Sequence, residues 1–236
     1  DIAIDWKRGT IWVGTGEVNS SRSSYAGIGI LKSEDKGKTW QNMGLLDSHH
    51  ISRILINPSN ADEVVVGVVG HLYSKNEERG IFKTTNGGKT WNKTLYIDDE
   101  TGIIDVVVSP KNFNVQYAAS WSKDRKAWDF IGSGATSGIY KSEDAGLTWK
   151  LFTTAESGFP VGEGVGRIGL AVYDDATVYA VLDNQFKRPL ESKKSNSLPI
   201  AFSVPGDEFL KIPNKSLNSI LKNYGLTEKF RAENIK

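Results

Sequence analysis

The chain has 236 residues, 39% of them hydrophobic and 24% charged, with a net charge of +1. That is ample for a buried core, and it offers no electrostatic footprint for nucleic acid or an anionic membrane. No apolar run approaches the roughly 20 residues that span a bilayer, and the lack of cysteine excludes a disulfide framework and a thiolate metal site.

The chain opens at Asp1 with neither an initiator Met nor a signal peptide. Signals are removed from mature proteins, so this does not argue for the cytoplasm. Residues 1–14 (DIAIDWKRGTIWVG) read as a β-rich run, a polar turn and a second β-rich run, which is a hairpin. The same unit recurs from Ser52 (SRILINPSNADEVVVG), from Ile104 (IDVVVSPKNFNVQYAA) and from Arg167 (RIGLAVYDDATVYAV).

Between these copies stands a twelve-residue segment, at 29–40 (GILKSEDKGKTW), 80–91 (GIFKTTNGGKTW) and 138–149 (GIYKSEDAGLTW). It too reads as a hairpin. Ile30, Phe82 and Tyr140 fall in its first strand, Ser33 to Gly37 make the turn, and Thr39 and Trp40 open the return strand. Asp35, Asn86 and Asp144 can accept backbone N–H groups a few residues on. Gly37, Gly88 and Gly146 can supply a positive φ, and Trp40, Trp91 and Trp149 bury a large apolar face against the hairpin. Two hairpins per ~50 residues make a four-stranded antiparallel sheet, and such sheets repeated around an axis make a β-propeller. The expected fold is all-β, with three full blades and half of a fourth over residues 1–186. A ring needs roughly 4–8 blades, so the chain is expected to be an arc completed by further blades of a longer polypeptide or of another chain.

After Asn184 the pattern fails. Residues 187–215 read as loop, and Leu217, Ile220, Leu221 and Tyr224 then mark one face of a helix that Gly225 can end. Thr227 is placed to cap a further short helix through Ile235. Residues 187–236 are therefore expected to be a loop with short helices, inserted within the propeller.

Ser-x-Asp-x-Gly-x-Thr-Trp, intact at Ser33 to Trp40 and at Ser142 to Trp149 and altered to Thr84 and Asn86 in the middle copy, resembles the Asp box, or bacterial neuraminidase repeat. With WVGTGE, NEERG and GRIGLAV, residues 1–188 look similar to the sortilin-type propellers of bacterial extracytoplasmic proteins. The resemblance implies a location outside the cytoplasm and a protein or peptide ligand. The chain lacks the cysteines of the module that follows the propeller in eukaryotic sortilins. Sialidases, xyloglucanases and photosystem assembly factors carry Asp boxes as well, so a glycoside hydrolase is the alternative to a non-catalytic binding or scaffolding module for protein or glycan.

Other motifs have plainer readings. Gly88-Lys89-Thr90 lacks the glycine and the helix of a phosphate loop. Gly164, Gly166 and Gly169 lead into a strand rather than a nucleotide-binding helix. Asp35 and Asp144 repeat once per blade, as turn residues do and catalytic groups do not. His49, His50 and His71 are too few and too awkwardly spaced to predict a metal site; surface or hydrogen-bonding roles are expected, and no cofactor. Arg167-Ile168-Gly169 is the nearest approach to the Arg-Ile-Pro segment common in sialidases. Xyloglucanase chemistry requires two carboxylates about 5–10 Å apart; Glu17, Asp129 and Glu163 are available, but nothing pairs them, and no catalytic residue is assigned.

Loop length is more informative. Turns between strands 1–2 and 3–4 of a blade share one face, and the 2–3 loops and 4–1 connections share the other. All the extra length is in the second set. The 2–3 loops, residues 15–26, 71–79 and 122–137, supply the ligand-binding candidates Glu17, Asn19, Arg22, Tyr73, Arg79, Arg125, Trp128 and Asp129, with Glu77 beside them. The 4–1 connections add His49, His50, Asp98, Asp99 and Glu163. Long loops on a rigid scaffold are where binding usually resides.

Overall fold

The computed structural model describes residues 1–187, 205–223, 225, 226 and 228–236. The chain divides into two compact units, Asp1–Lys187 and Arg188–Lys236.

In the first unit, β1 (Ile2–Asp5), β2 (Thr10–Gly14), β3 (Ile30–Ser33) and β4 (Gln41–Asn42) form one antiparallel sheet in chain order. The second sheet repeats the plan with β5 (Ile51–Asn57), β6 (Asn60–Val68), β7 (Gly80–Thr84) and β8 (Asn92–Leu95). The third uses β9 (Thr101–Ser109), β10 (Asn112–Ser122), β13 (Gly138–Ser142) and β14 (Lys150–Leu151). Its 2–3 loop holds an extra ribbon of β11 (Asp124–Arg125) and β12 (Phe130–Ile131), where plain loop is expected from the sequence. A final pair, β15 (Val165–Val172) and β16 (Val178–Asn184), follows. The return strands β4, β8 and β14 begin just after the repeat tryptophans rather than at them.

The core lies between sheets. Val64, Val66 and Val68 of β6 pack with Trp12, Ile30 and Ile51, towards the first sheet. Val65, between them in sequence, packs with Ile103, Val106 and Ala118 of the third. The period-2 alternation of a strand thus feeds two cores at once, and a strand covered on both faces reads as the unbroken apolar run VVVGVV. Gly67 marks a close approach, since a Cβ there would stand 2.8 Å from Val106 Cγ2. The third core joins Ile104, Tyr117, Ala119 and Trp121 to Val165 and Ile168 of the last pair.

The repeat turns are built as their composition implies. Asp35 Oδ1 accepts from Thr39 N at 2.8 Å, and Ser33 Oγ accepts from Gly37 N at 2.8 Å. Asp144 and Ser142 repeat these bonds to Thr148 N and Gly146 N. In the middle copy Thr84 Oγ1 and Asn86 Oδ1 accept from Gly88 N and Thr90 N. The tryptophans do more than cover their own hairpin, because they reach the preceding sheet. Trp91 Nε1 donates to Met43 O at 2.7 Å and meets Trp12 edge to face, and Trp149 Nε1 donates to Thr94 Oγ1. Trp40 has no preceding sheet among the described residues and remains 42% exposed. Lysines tie the same turns from the other side. Lys32 Nζ donates to Gly87 O and Lys83 Nζ to Ala145 O, each in the next blade.

At the first strand of successive blades stand Asp1, just before β1, and Arg53, Asp105 and Arg167 of β5, β9 and β15. Arg53 Nε binds Asp105 Oδ1 at 2.7 Å, and its Nη1 lies 3.7 Å from Asp1. Asp1 Oδ2 accepts from Ile54 N and Asp105 Oδ2 from Leu170 N, so each carboxylate also clamps the backbone of the next blade.

Among its described residues the second unit has three short α-helices, α1 (Gly206–Lys211), α2 (Asn214–Asn223) and α3 (Ala232–Ile235), closed over Ile212, Leu217, Leu221 and Ala232. α1 falls where loop is expected from the sequence. The expected α2 face holds at Leu217 and Leu221, whereas Ile220 is only half-buried; Tyr224 and Thr227 lie outside the described residues. Gly225, at φ +71°, ends α2, and Leu226 N reaches back to Leu221 O.

Candidate functional site

The connections and 2–3 loops do share one face, and the backbone laces them together. Gly27 N donates to His49 O and Ile51 N to Thr15 O, joining the first 2–3 loop to the connection after β4. Val69 N donates to His50 O, Asn76 N to Asp99 O and Gly134 N to Val165 O, continuing the lacing across the later blades.

Between the third 2–3 loop and the 4–1 connections beside it this face opens into a cleft of about 410 Å³, walled by Asp98, Glu100, Lys123, Asp124, Ile131 and Glu163. A smaller pocket of about 120 Å³ shares Glu100, Lys123 and Asp124 and adds Leu72, Tyr73 and Arg79. Asp98 caps its own loop, accepting from the amides of Glu100 and Thr101. Glu100 pairs with Lys75 and Asp124 with Lys126, whereas Glu163 has no ion pair among the described residues. Lys123 is 5% exposed and donates to His71 O at 3.1 Å. Burial, and then the neighbouring charge of Arg79, push its ammonium down to about 8.

The ribbon β11–β12 stands beside the cleft. Its root is fixed, because Phe130 meets Trp121 edge to face, Trp121 Nε1 donates to Gly132 O, and Arg125 lies over the Phe130 ring at 4.7 Å. Asp129 closes the turn, its carbonyl accepting from Lys126 N and its Oδ1 from Phe130 N. Trp128 at the tip is 83% exposed.

The remaining candidates divide. Tyr73 Oη donates to Arg22 O at 2.6 Å, which brings the first two 2–3 loops together. Glu17 and Asn19 are exposed on the first loop and wall neither cavity. Arg79 is not the exposed forked donor that its loop position implies. It is 2% exposed and donates to the carbonyls of Val69, Glu100, His71 and Ser74. A loop that turns back on itself leaves carbonyls to satisfy, and a guanidinium can satisfy several at once.

The histidines are closer together than their spacing implies. His49 and His71 stack with ring centroids 3.7 Å apart, and His71 Nε2 meets Asp47 Oδ1 at 2.9 Å. His50 turns the other way, into the interior, where neither ring nitrogen has a partner among the described residues. Burial and then the Lys123 charge lower it to about 4. The signal for this meeting is positional: residues 47–50 and 71 belong to a 4–1 connection and the adjacent 2–3 loop.

Among solved structures, the chain is similar to an ancestral GH74 enzyme at 18% identity and a TM-score of 0.51, over 76% of this chain and 21% of that one. Its fold is that of a β-propeller. It also aligns with YCF48 from Cyanidioschyzon merolae (17% identity, TM-score 0.45, 78% and 48% of the two chains). A GH74 xyloglucanase from Xanthomonas campestris aligns at 15% identity and a TM-score of 0.36, over 76% and 33%. The chain thus spans about a fifth of the GH74 enzyme and about half of YCF48. No family model and no curated protein matches its sequence. Among the described residues no helix is long and apolar enough to cross a membrane.

Proposed function

We propose that this propeller is an Asp-box, sortilin-like binding module, extracytoplasmic and non-catalytic, which holds a protein, peptide or glycan on its loop-bearing face while further blades complete its ring. The observation that carries this reading is Trp128. Its supporting ribbon is packed at the root, so the bare indole at the tip is not required to hold the loop down. An exposed aromatic beside a polar cleft is the usual composition of an interface anchor and also suits the face of a sugar. Tyr73, Arg22, Arg125 and Asp129 supply the polar surroundings.

The test is Trp128→Ala, with thermal melting and binding to glycan and peptide arrays measured together. Array ligands of the parent should be lost, about tenfold or more in affinity for a hot-spot aromatic, at an unchanged melting temperature. A lowered melting temperature with binding intact would assign Trp128 to packing.

One observation favours a second reading, a glycoside hydrolase: Asp98, Glu100, Asp124 and Glu163 wall a single cleft, and hydrolysis needs two carboxylates across a sugar. Turnover of xyloglucan or a sialoside that Glu163→Gln abolishes would replace the binding reading with this one.

A further inference from the structure

Asp47, His49 and His71 each place one ligand atom within 4.8 Å of the other two. They stand outside the walls of the cleft and outside the repeat, so neither the fold nor the binding reading accounts for them. Asp47 sits on a single 3-10 turn, Leu46–Ser48, flanked by Leu45 at φ +55° and His49 at φ +51°. Left-handed backbone is uncommon for residues of this size and persists where the surroundings enforce it. The enforcement comes from buried Asn76. Its Nδ2 donates to Asp47 O at 2.8 Å and its Oδ1 accepts from His71 N at 2.9 Å, so one amide clamps both segments. His71 is held on both sides, with Nδ1 2.8 Å from Ser74 Oγ and Nε2 facing Asp47. An outer partner on one ring nitrogen that aims the other inward is the usual support of a metal-binding histidine.

We propose that Asp47, His49 and His71 bind a divalent transition-metal ion of the zinc class. Two imidazole nitrogens and one carboxylate oxygen suit Zn²⁺, Co²⁺, Ni²⁺ or Cu²⁺, whereas Mg²⁺ and Ca²⁺ prefer all-oxygen sites. Three protein donors leave a coordination position open towards the loop-bearing face. Asp47 and His71 are already placed, but His49 is not. Its ring stacks on His71 with an interplanar angle of 18°, and one ion cannot lie in both planes of a nearly parallel pair. Binding therefore requires the half-exposed His49 ring to turn out of the stack about its side-chain torsions. His50 takes no part, being packed beneath Gly16, where a Cβ would stand 2.9 Å from its Nδ1.

The experiment titrates the full chain, stripped with chelator, with Zn²⁺ by calorimetry, and with Co²⁺, whose visible absorption reports coordination. One ion per chain is expected. Asp47→Asn, His49→Gln and His71→Gln should each weaken binding by about tenfold or more, and Ser74→Ala by about tenfold through loss of ring orientation. Trp128→Ala should leave metal affinity unchanged, which separates this proposal from the binding reading. Melting temperatures accompany every variant. His49→Gln, at a half-exposed ring, is the decisive one should Asp47 or His71 prove necessary for folding. Failure to saturate at one ion per chain by millimolar Zn²⁺, or undiminished affinity in His49→Gln, would overturn the proposal.

Discussion

At the scale of single residues, the repeat turn shows how a carboxylate is put to structural use. Asp35 is held at about 2 by the Thr39 hydroxyl, then the Thr39 amide and the Ser33 hydroxyl. For Asp144, burial alone would raise the carboxyl; the Thr148 hydroxyl and amide, with Ser142 and Leu147, overrule it and bring it to about 2. A carboxyl depressed below its unfolded value contributes stability above about pH 4, which is lost as pH falls towards 2. For Asp144, partly exposed and so screened, this contribution is on the order of 1–2 kcal/mol. Asp144→Ala should therefore cost about 1–2 kcal/mol at pH 7, measured by urea unfolding, with ligand affinity unchanged. Asp144→Asn should do better. Asn86 Nδ2 donates to Thr90 Oγ1 and Asn86 Oδ1 accepts from Thr90 N, so an amide can make the same turn. Asp144→Asn should remain near wild-type stability at pH 7 and lose less than wild type between pH 4 and 2. An unchanged acid slope would show that the carboxylate is not the titrating support assigned here.

At the scale of elements, what matters is how one blade grips the next. Lys32, Lys83 and Lys141 occupy one position of the repeat, yet their surroundings differ. Lys83 is buried, donates to Ala145 O in the next turn and pairs with Glu63; Lys141 has no following turn among the described residues and pairs with exposed Glu143. Lys83→Met should cost about 1–3 kcal/mol, because the Ala145 carbonyl loses its donor and half-buried Glu63 keeps only Asn57. Lys141→Met should cost less than about 1 kcal/mol, the range of an exposed pair. Equal losses in denaturant unfolding would refute an inter-blade role. The difference also explains what could be read in advance. Hairpins, turns and blade count follow from local spacing, and Thr84 and Asn86 are legible as substitutes because they keep the same acceptors. The partner of Trp91 could not be read, since Met43 lies in another blade. Arg79 was misleading for the same reason: position on a loop says nothing about which carbonyls the loop leaves unpaired. For Asp47 the one signal is positional, its place on a 4–1 connection beside the loop of His71; no motif marks it.

At the scale of the molecule, two flanks of the blade series are bare among the described residues. β16 presents Tyr179 and Val181, the latter 78% exposed, and has no third strand beside it. At the other end of the series the first sheet exposes Ile2 and Trp40. Open edges and apolar faces of this kind drive association. The isolated 236-residue chain should therefore form oligomers or aggregates in sedimentation velocity, and Tyr179→Glu with Val181→Lys should shift it towards monomer. A monodisperse parent chain that melts cooperatively would contradict this. The first strands of the blades bear on the ring itself. Around them run Asp1, Arg53, Asp105 and Arg167, an alternation in which every neighbour has the opposite sign. Such a sequence has a parity. A circle that keeps the alternation throughout can close on itself only at an even number of blades, because an odd number would set two like charges side by side at the seam.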